Sequence, residues 1–545
     1  MDKNETITTD VLIVGAGPVG LSLAIELASR GVLCMLIEQH DRVGLQPRAK
    51  TTNVRSMSHM RRWGLAEAIR QASPLPQDFP RNVIFATRLF GHQLALFDNA
   101  FYGARARDER FNEPAEWIPQ YVVEAVLRER LRTLPEAVVC FNARFDGAAQ
   151  SAHGVAAEFT DLKADRQIHV RAKYLVGADG STSSVRRVTG ACMKGQHAYA
   201  RNVNVVLQAP QLSAINPQAK ALMYWLVNTE APGIIAPLER DKWTFGIQIP
   251  NGENVPDERE LGDKIIRAVG RDFDFKIAVT DSWAAHSLLA DDYASGRILL
   301  AGDACHLHPP MGGYGMNMGI GDAVDLGWKI AATLQGWGGP ALLASYEQER
   351  RPVHRFVIEE AVSNYAVLTD RFLRENLERD SPEGERARSA VGEEILKTKV
   401  REFKSLGVVL GCNYSGSPLT IPDGTSPPDA HFGNYQPSAH PGCLAPHAWL
   451  ADDSSLYDHF GRAFTLLVMG AGDDADRIAI AAKRRGVPLT VFKPDHRGLS
   501  DLYGARYVLI RPDQHVAWRG QRAPAGIDAM IGRVAGFAPV VAEPA

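Results

Sequence analysis

Gly15, Gly17 and Gly20 stand in a G-x-G-x-x-G spacing between an apolar run, Val11–Val14, and a helical recurrence of Leu21, Leu23, Ala24, Leu27 and Ala28. Strand, glycine turn and helix in that order make a pyrophosphate site. Gly15 permits the tight turn, Gly17 lets the backbone approach the phosphates, and Gly20 lets the helix pack close to the strand with its N-terminus facing the anion. Val32–Ile37 predicts a second strand, and Glu38 at its end can accept hydrogen bonds from a ribose. Acids recur beside glycine turns at two further strand-like runs. Asp179-Gly180 follows Tyr174–Gly177, and Gly302-Asp303 follows Ile298–Ala301. Open parallel sheets bind ligands at such strand ends, although Asp179 with Ser183 reads equally as a helix-capping turn. After Asp303, Pro309-Pro310 break the chain, Gly312, Gly313 and Gly315 loosen a turn, and a helix follows with Ala323, Leu326, Gly327 and Ile330. Pro47 and Arg48 form a loop, and Arg48 and Arg55 supply cations near the first motif, where solvation is the ordinary fate of an arginine. Cys305, His306 and His308 have no further ligand type close by, so no metal is expected.

These groups need a framework, and the 545 residues are enough for two or three domains. The runs near 11–14, 32–37, 174–177 and 298–301 predict a parallel, Rossmann-like α/β sheet; residues 136–170 alternate and predict antiparallel strands. A helix begins near Gln120. The stretches at about 80–115 and 195–290 predict a second, antiparallel lobe, with Tyr224, Trp225, Trp243 and Phe245 available to wall a cavity or to fill a core. Residues 341–410 read as charged helix. Residues 411–447, rich in Pro, Gly and Ser, read as an extended linker. Residues 448–545 follow a βαβ-ββα order similar to a thioredoxin-like fold, but no cysteine follows Cys443, so the C-x-x-C is missing and redox activity there is not expected. Gly470, Gly472 and Ala475 spell a second glycine motif, whose Asp473 and Asp474 would repel a pyrophosphate.

Net charge is −3, so no basic field recruits nucleic acid or an anionic membrane. The N-terminal MDKNETITTD has no apolar core of a signal peptide, and no run approaches 18 apolar residues. Six scattered cysteines suggest no disulfide framework. A cytoplasmic location is expected.

Three motifs, GAGPVG with Glu38, GADGSTSSVR, and AGDACHLHPPMGGYGMNMGIGDAVDLGWKI, together resemble the FAD-dependent aromatic hydroxylases, the single-component flavoprotein monooxygenases. LGCNYSGSPL, PGCLAPHAWL and RPDQHVAWRG look like the branch that contains phenol hydroxylase, 3-(3-hydroxyphenyl)propionate hydroxylase and polyketide-tailoring hydroxylases, with a redox-inactive thioredoxin-like tail. The resemblance implies an FAD-binding domain over 1–410, interwoven with the substrate sheet, and non-covalent FAD. It implies that Gly15, Gly17, Pro18 and Gly20 hold the pyrophosphate and Glu38 the ribose. Arg48 and Gln120 would touch FAD, and Asp179 would serve FAD and nicotinamide. Gly302 and Asp303 would hold the ribityl chain, Pro309 would lie by the isoalloxazine with Pro310 toward the substrate, and Gly315, Met316 and Asn317 would face its pyrimidine side. NADPH or NADH would visit transiently to reduce FAD. O2 would then give a flavin C4a-hydroperoxide that hydroxylates a small phenolic or other electron-rich aromatic substrate. A Baeyer–Villiger or epoxidising monooxygenase, or an NAD(P)H oxidase, is the alternative. A homodimer is compatible with this reading. No catalytic base is evident: the aspartate that phenol hydroxylase carries in this region corresponds to Lys50 in AKTTNVR.

Overall fold

The computed structural model describes residues 6–41, 48–250, 252–470, 472–496 and 498–537, which leaves Pro47 outside the described residues. The strand Thr6–Val14 runs parallel to Cys34–Glu38 on one side and to Arg166–Gly177 on the other. Ile298–Leu300 and Ala137–Phe141 extend the parallel order at either end. Val11, Leu12 and Ile13 are fully buried, as an apolar run with both faces covered requires. Only part of 136–170 is antiparallel. Ala143–Gln150 and Val155–Asp161 form a hairpin against Arg166–Gly177, whereas Ala137–Phe141 joins the parallel sheet.

The second sheet has eight strands, in the order His306–Leu307, Lys276–Ala290, Met193–Gln208, Lys242–Ile249, Gly233–Pro237, Met223–Leu226, Val83–Ala86 and Gln93–Phe97. The chain therefore leaves the first sheet at Leu300, turns through Gly302–Ala304 and enters the second at His306, which pairs with Leu289. A single motif thus stitches the two sheets together, and the Pro309–Gly313 turn lies where they meet. Among the described residues no helix is long and apolar enough to cross a membrane.

The tail forms a four-stranded sheet, Leu489–Phe492, Phe464–Val468, Tyr507–Ile510 and Val516–Gly520, with the Asp474–Arg484 and Ile527–Val534 helices. Its core is continuous with Trp328, Ala332, Trp337 and Leu342 of the larger part. Beneath that seam Arg511, 1% exposed, donates to Glu349 at 2.6 and 2.8 Å and to Asp513 at 2.7 Å, while Lys329 donates to Asp325 and Glu349. Arg55 belongs to this seam, donating to the Asp513 carbonyl at 2.7 Å. Residues 411–447 are irregular, as their composition predicts, but they are no free spacer. Asn413 bridges to Cys443, Leu444 bridges to His515, and residues 439–448 are mostly buried. Backbone pairing and burial hold this segment against the tail.

Candidate active site

At the carboxyl edge of the parallel sheet, Gly15 has φ +104°, and a Cβ there would stand 2.4 Å from the Ala178 carbonyl oxygen. At Gly20 a Cβ would stand 1.9 Å from the Gly15 oxygen. Both glycines are demanded by the fold itself. Gly17 differs: a Cβ would meet nothing within 4 Å, so this position is open toward the cleft. Pro18 opens the following helix, where its missing N–H costs nothing. Glu38 accepts from the Ala16 amide at 2.9 Å and the His40 amide at 3.0 Å, and so stands beside the glycine turn. Arg48 is exposed at the same edge. Gln120 clamps the neighbouring chain, its N–H donating to the Ala49 carbonyl and its Oε1 accepting from the Ala49 N–H.

Asp303 and Asp179 part company here. The Asp303 carboxylate makes no hydrogen bond with the described residues and remains reachable by solvent. Protein nevertheless encloses it: burial pushes its pKa up, against the pull of His306 and Arg48. It is an acceptor in a cleft with nothing to accept. The Asp179 carboxylate accepts from Ser183 Oγ at 2.5 Å, Ser184 N at 2.6 Å and Val185 N at 3.1 Å. Asp179 thus anchors the start of the Ser184–Thr189 helix, the capping half of the two readings its sequence position allows. Its place in the site is to abut Gly15.

The inner turn is fixed by the side chain of Asn317, which the resemblance names for its backbone, and by Asp322, which motif reading passed over. Asn317 donates to the carbonyls of Thr51 and Gly313 and accepts from the Asn53 amide. Its side chain is wholly engaged with protein, leaving the N–H groups of Gly315, Met316 and Asn317 at a helix start, where positive potential favours an anion. Pro309 is buried and Pro310 is exposed beside them. Asp322, about two turns along that helix, accepts from the Gly302 N–H at 3.0 Å and from Arg350 at 2.8 Å, and pairs with His306 and His354. Burial would raise its pKa, but His354 and Arg350 outweigh that and hold it well below the usual carboxylate range. Cys305, His306 and Asp322 lie close enough to share an ion. Both Asp322 oxygens are already engaged, one by the Arg350 cation, which disfavours a metal there.

Across the turn lies one face of the second sheet. The cross-strand register puts Asn204, Gly246, Ile234, Trp225 and Phe85 on this face, and Val205, Phe245, Ile235, Tyr224 and Ile84 on the other. The second set packs on the Glu258–Val269 helix through Leu261 and Ile265. Tyr224, Trp243 and Phe245, which could wall a cavity or fill a core, are thus core residues turned away from the site, with Tyr224 and Trp243 stacked 6.1 Å apart. Trp225 has the right facing but stacks on Phe85 at 5.2 Å and lies under Lys399. Met223 and Ile234 on this face share an apolar cluster with Met311 of the turn, and Met223 also joins a neighbouring cluster with Ala236 and Trp117. Buried here without partners among the described residues are Tyr199 Oη, Trp283 Nε1 and His308 Nε2. His308 Nδ1 faces the Pro309 carbonyl at 2.9 Å, and burial pushes the ring down to about 4. It is therefore neutral, with Nε2 an unspent acceptor. Lys50 follows the chain clamped by Gln120 and precedes Thr51, against which Gly313 packs. It has no carboxylate partner among the described residues, and burial lowers its pKa to about 8.

An extended dinucleotide fits these observations: open backbone at Gly17, a free acid at Asp303, and free helix N–H groups beyond it. The chain matches the family described as FAD binding domain over residues 8–361 and that described as aromatic-ring hydroxylase, C-terminal, over 438–538. It is 31% identical to the FAD-dependent monooxygenase apdD of Emericella nidulans, covering 97% of this chain and 90% of that one. It is 31% identical to the 2,4-dichlorophenol 6-monooxygenase of Delftia acidovorans, covering 96% of both. Among solved structures, the rebeccamycin biosynthetic enzyme RebC with reduced flavin superposes with a TM-score of 0.91 at 37% identity, over 98% of this chain and 100% of that one. The chain belongs to the FAD-dependent aromatic-ring hydroxylases, monooxygenases that use NAD(P)H and O2 to hydroxylate an aromatic substrate.

Proposed function

We propose that this enzyme hydroxylates an uncharged or weakly acidic aromatic ring carrying a hydroxyl or amino group, and that Lys50 takes the ring's proton. The carrying observation is the facing of the second sheet. Apolar Met223 and Ile234 cluster with Met311 of the inner turn, with Ala236 and Trp117 in the adjoining apolar cluster, while Lys399 is consumed by Glu402 and by the Val367 carbonyl. A flat apolar ring suits this surface. Tyr199 Oη, Trp283 Nε1 and His308 Nε2 are available to its polar substituents. When bound, FAD supplies the hydride acceptance and oxygen activation that no side chain can. Gly15, Gly17 and Gly20 would hold its pyrophosphate, Asp303 would accept from a hydroxyl of the ribityl chain, and the Gly315–Asn317 amides would favour negative charge beside them. We read its binding as non-covalent.

A phenol reacts best as its phenolate. Lys50, at about 8, is neutral often enough near neutral pH to accept that proton and then offers an ammonium beside the oxygen. The test is a panel of phenols, aminophenols and polycyclic phenols, followed by NADPH consumption under ¹⁸O2. Faster NADPH loss with one labelled oxygen in a hydroxylated ring is expected, with kcat/KM rising through a limb near pH 8. Lys50→Met should lower kcat/KM by about 10²-fold or more and remove that limb. Label in a ring-expanded lactone would support a Baeyer–Villiger enzyme instead, and peroxide with no labelled product an oxidase. An unchanged limb in Lys50→Met would dismiss Lys50.

A further inference from the structure

Away from the flavin cleft, where the 411–447 segment meets the tail, Cys412 faces His515, and His515 Nδ1 lies 3.3 Å from Asp513 Oδ1. Arg350 Nη1 stands 4.0 Å from the same sulfur. His515 is 4% exposed and packs against the Tyr414 ring at 4.3 Å. Neither of its ring nitrogens has a well-formed hydrogen bond among the described residues, so the imidazole is buried beside the thiol with only the Asp513 carboxylate near its Nδ1. Cys412 itself is partly exposed and lines a cleft with Asn413, His431, Tyr435 and Cys443. The room in that cleft is about 30 Å³, enough for one or two water-sized molecules and too little for an organic substrate.

We propose that Cys412 is a peroxide-reactive thiolate, activated by His515 and Asp513. A thiolate beside an imidazolium and a guanidinium is the reactive form of cysteine, and hydrogen peroxide is of the size the cleft admits. In the step, the Cys412 sulfur attacks one peroxide oxygen and the O–O bond breaks. The sulfur is oxidised by two electrons to the sulfenic acid. The departing hydroxide takes the His515 proton and leaves as water. Charge supports this. Burial would push the Cys412 thiol up, but His515 and Arg350 outweigh it and hold it below the ordinary thiol value. Burial takes the competitors the other way: Cys34 and Cys443 rise to about 12, Cys305 is held well above the ordinary thiol value, and Cys140 is raised too. The oxidised sulfur would sit against Arg350, which also holds Asp322, the acceptor of the Gly302 N–H. The thiol is thus two side chains from the turn that carries Asp303.

The test adds hydrogen peroxide to the full-length FAD-loaded enzyme at pH 7, quenches it with catalase, unfolds the protein in dimedone and maps the label by mass spectrometry. Because the oxidant is supplied, the outcome is independent of the hydroxylation reading. Label should reach Cys412 at least about tenfold faster than the exposed Cys192, and His515→Gln should slow Cys412 by about tenfold while leaving Cys192 unchanged. Equal labelling of Cys412 and Cys192, or an unaffected rate in His515→Gln, would overturn the proposal. Where that variant does not fold, the wild-type pH profile decides. Oxidation of Cys412 that is already fast at pH 6–7 supports the thiolate, and a rate that climbs only toward the ordinary thiol pKa of about 8.5 overturns it.

Discussion

The cofactor cleft is built of backbone, and the substrate face is built of side chains. In the cleft, Gly15 and Gly20 have no room for a Cβ, whereas Gly17 has room on the side where a ligand's phosphates would lie. On the second sheet, neighbours such as Met223 and Tyr224 differ little in apolarity but point to opposite sides, one toward the inner turn and one onto the Glu258–Val269 helix. A backbone-built site tolerates almost no change in residue type at its critical positions. A side-chain-built site tolerates many changes, each shifting affinity a little.

The largest expected effect tests the first half of that contrast. Gly20→Ala must move the Gly15 carbonyl, which a Cβ would approach to 1.9 Å. It should abolish FAD retention and lower Tm. Gly17→Ala meets no protein atom within 4 Å, so the apoprotein should melt as wild type does. FAD binding should still weaken by about 1–3 kcal/mol, the usual cost of overpacking, or about 5- to 150-fold in Kd. Thermal melts of the apoprotein beside flavin titrations separate the two. If Gly17→Ala lowered apoprotein Tm as much as Gly20→Ala, the openness at Gly17 would not be room kept for the ligand.

This difference also governs what could be read before the fold was known. The glycine spacing, Glu38 and Gly302-Asp303 name their own geometry, because few residue types permit those turns. Asp179 was legible as a strand-end acid and also as a cap, and the bonds to Ser183, Ser184 and Val185 show the cap. Asn53 and Asp322 carried no such signal, and Asn317 was named only for its backbone. An Asn–Asn contact 264 residues apart in the chain leaves no periodicity behind. For the second sheet, strand propensity and alternation were plain. Which parity faced the site depended on where the Glu258–Val269 helix packs, a tertiary fact. The linker failed for a related reason: Pro, Gly and Ser content predicts irregular backbone and says nothing about whether another surface covers it.

A smaller effect is expected at Asp303, one of the few side chains in a largely backbone-built cleft. Its carboxylate has no protein partner among the described residues, so Asp303→Ala removes nothing from the apoprotein's hydrogen bonding. A charge-assisted hydrogen bond to FAD is worth about 1.5–3 kcal/mol, so Kd should rise by about 10- to 150-fold. Apoprotein stability should hold or increase, since an enclosed acid with a raised pKa is lost. A drop in apoprotein Tm with unchanged FAD affinity would mean that Asp303 serves the fold.

The smallest effects test the facing of the second sheet, and they come as a pair. The Tyr224 hydroxyl donates to the Ala219 carbonyl at 2.9 Å and accepts from the Ala221 amide at 3.1 Å, all on the helix-covered side. Tyr224→Phe should therefore cost about 1 kcal/mol of stability and leave KM for the aromatic substrate unchanged. Ile234 is in register with Trp225 and Gly246 on the opposite face and is only partly buried. Ile234→Ala removes apolar surface from the proposed ring-binding side. Losing about 1 kcal/mol of contact there should raise KM about fivefold, with a smaller change in Tm than a core truncation gives. The pair is informative because the two residues lie on adjacent strands, so a general loosening of the sheet would move both readouts in both variants. Separation of stability from KM requires two distinct faces. If Tyr224→Phe raised KM and Ile234→Ala changed only Tm, the facing would be inverted and the substrate would lie on the side of the Glu258–Val269 helix.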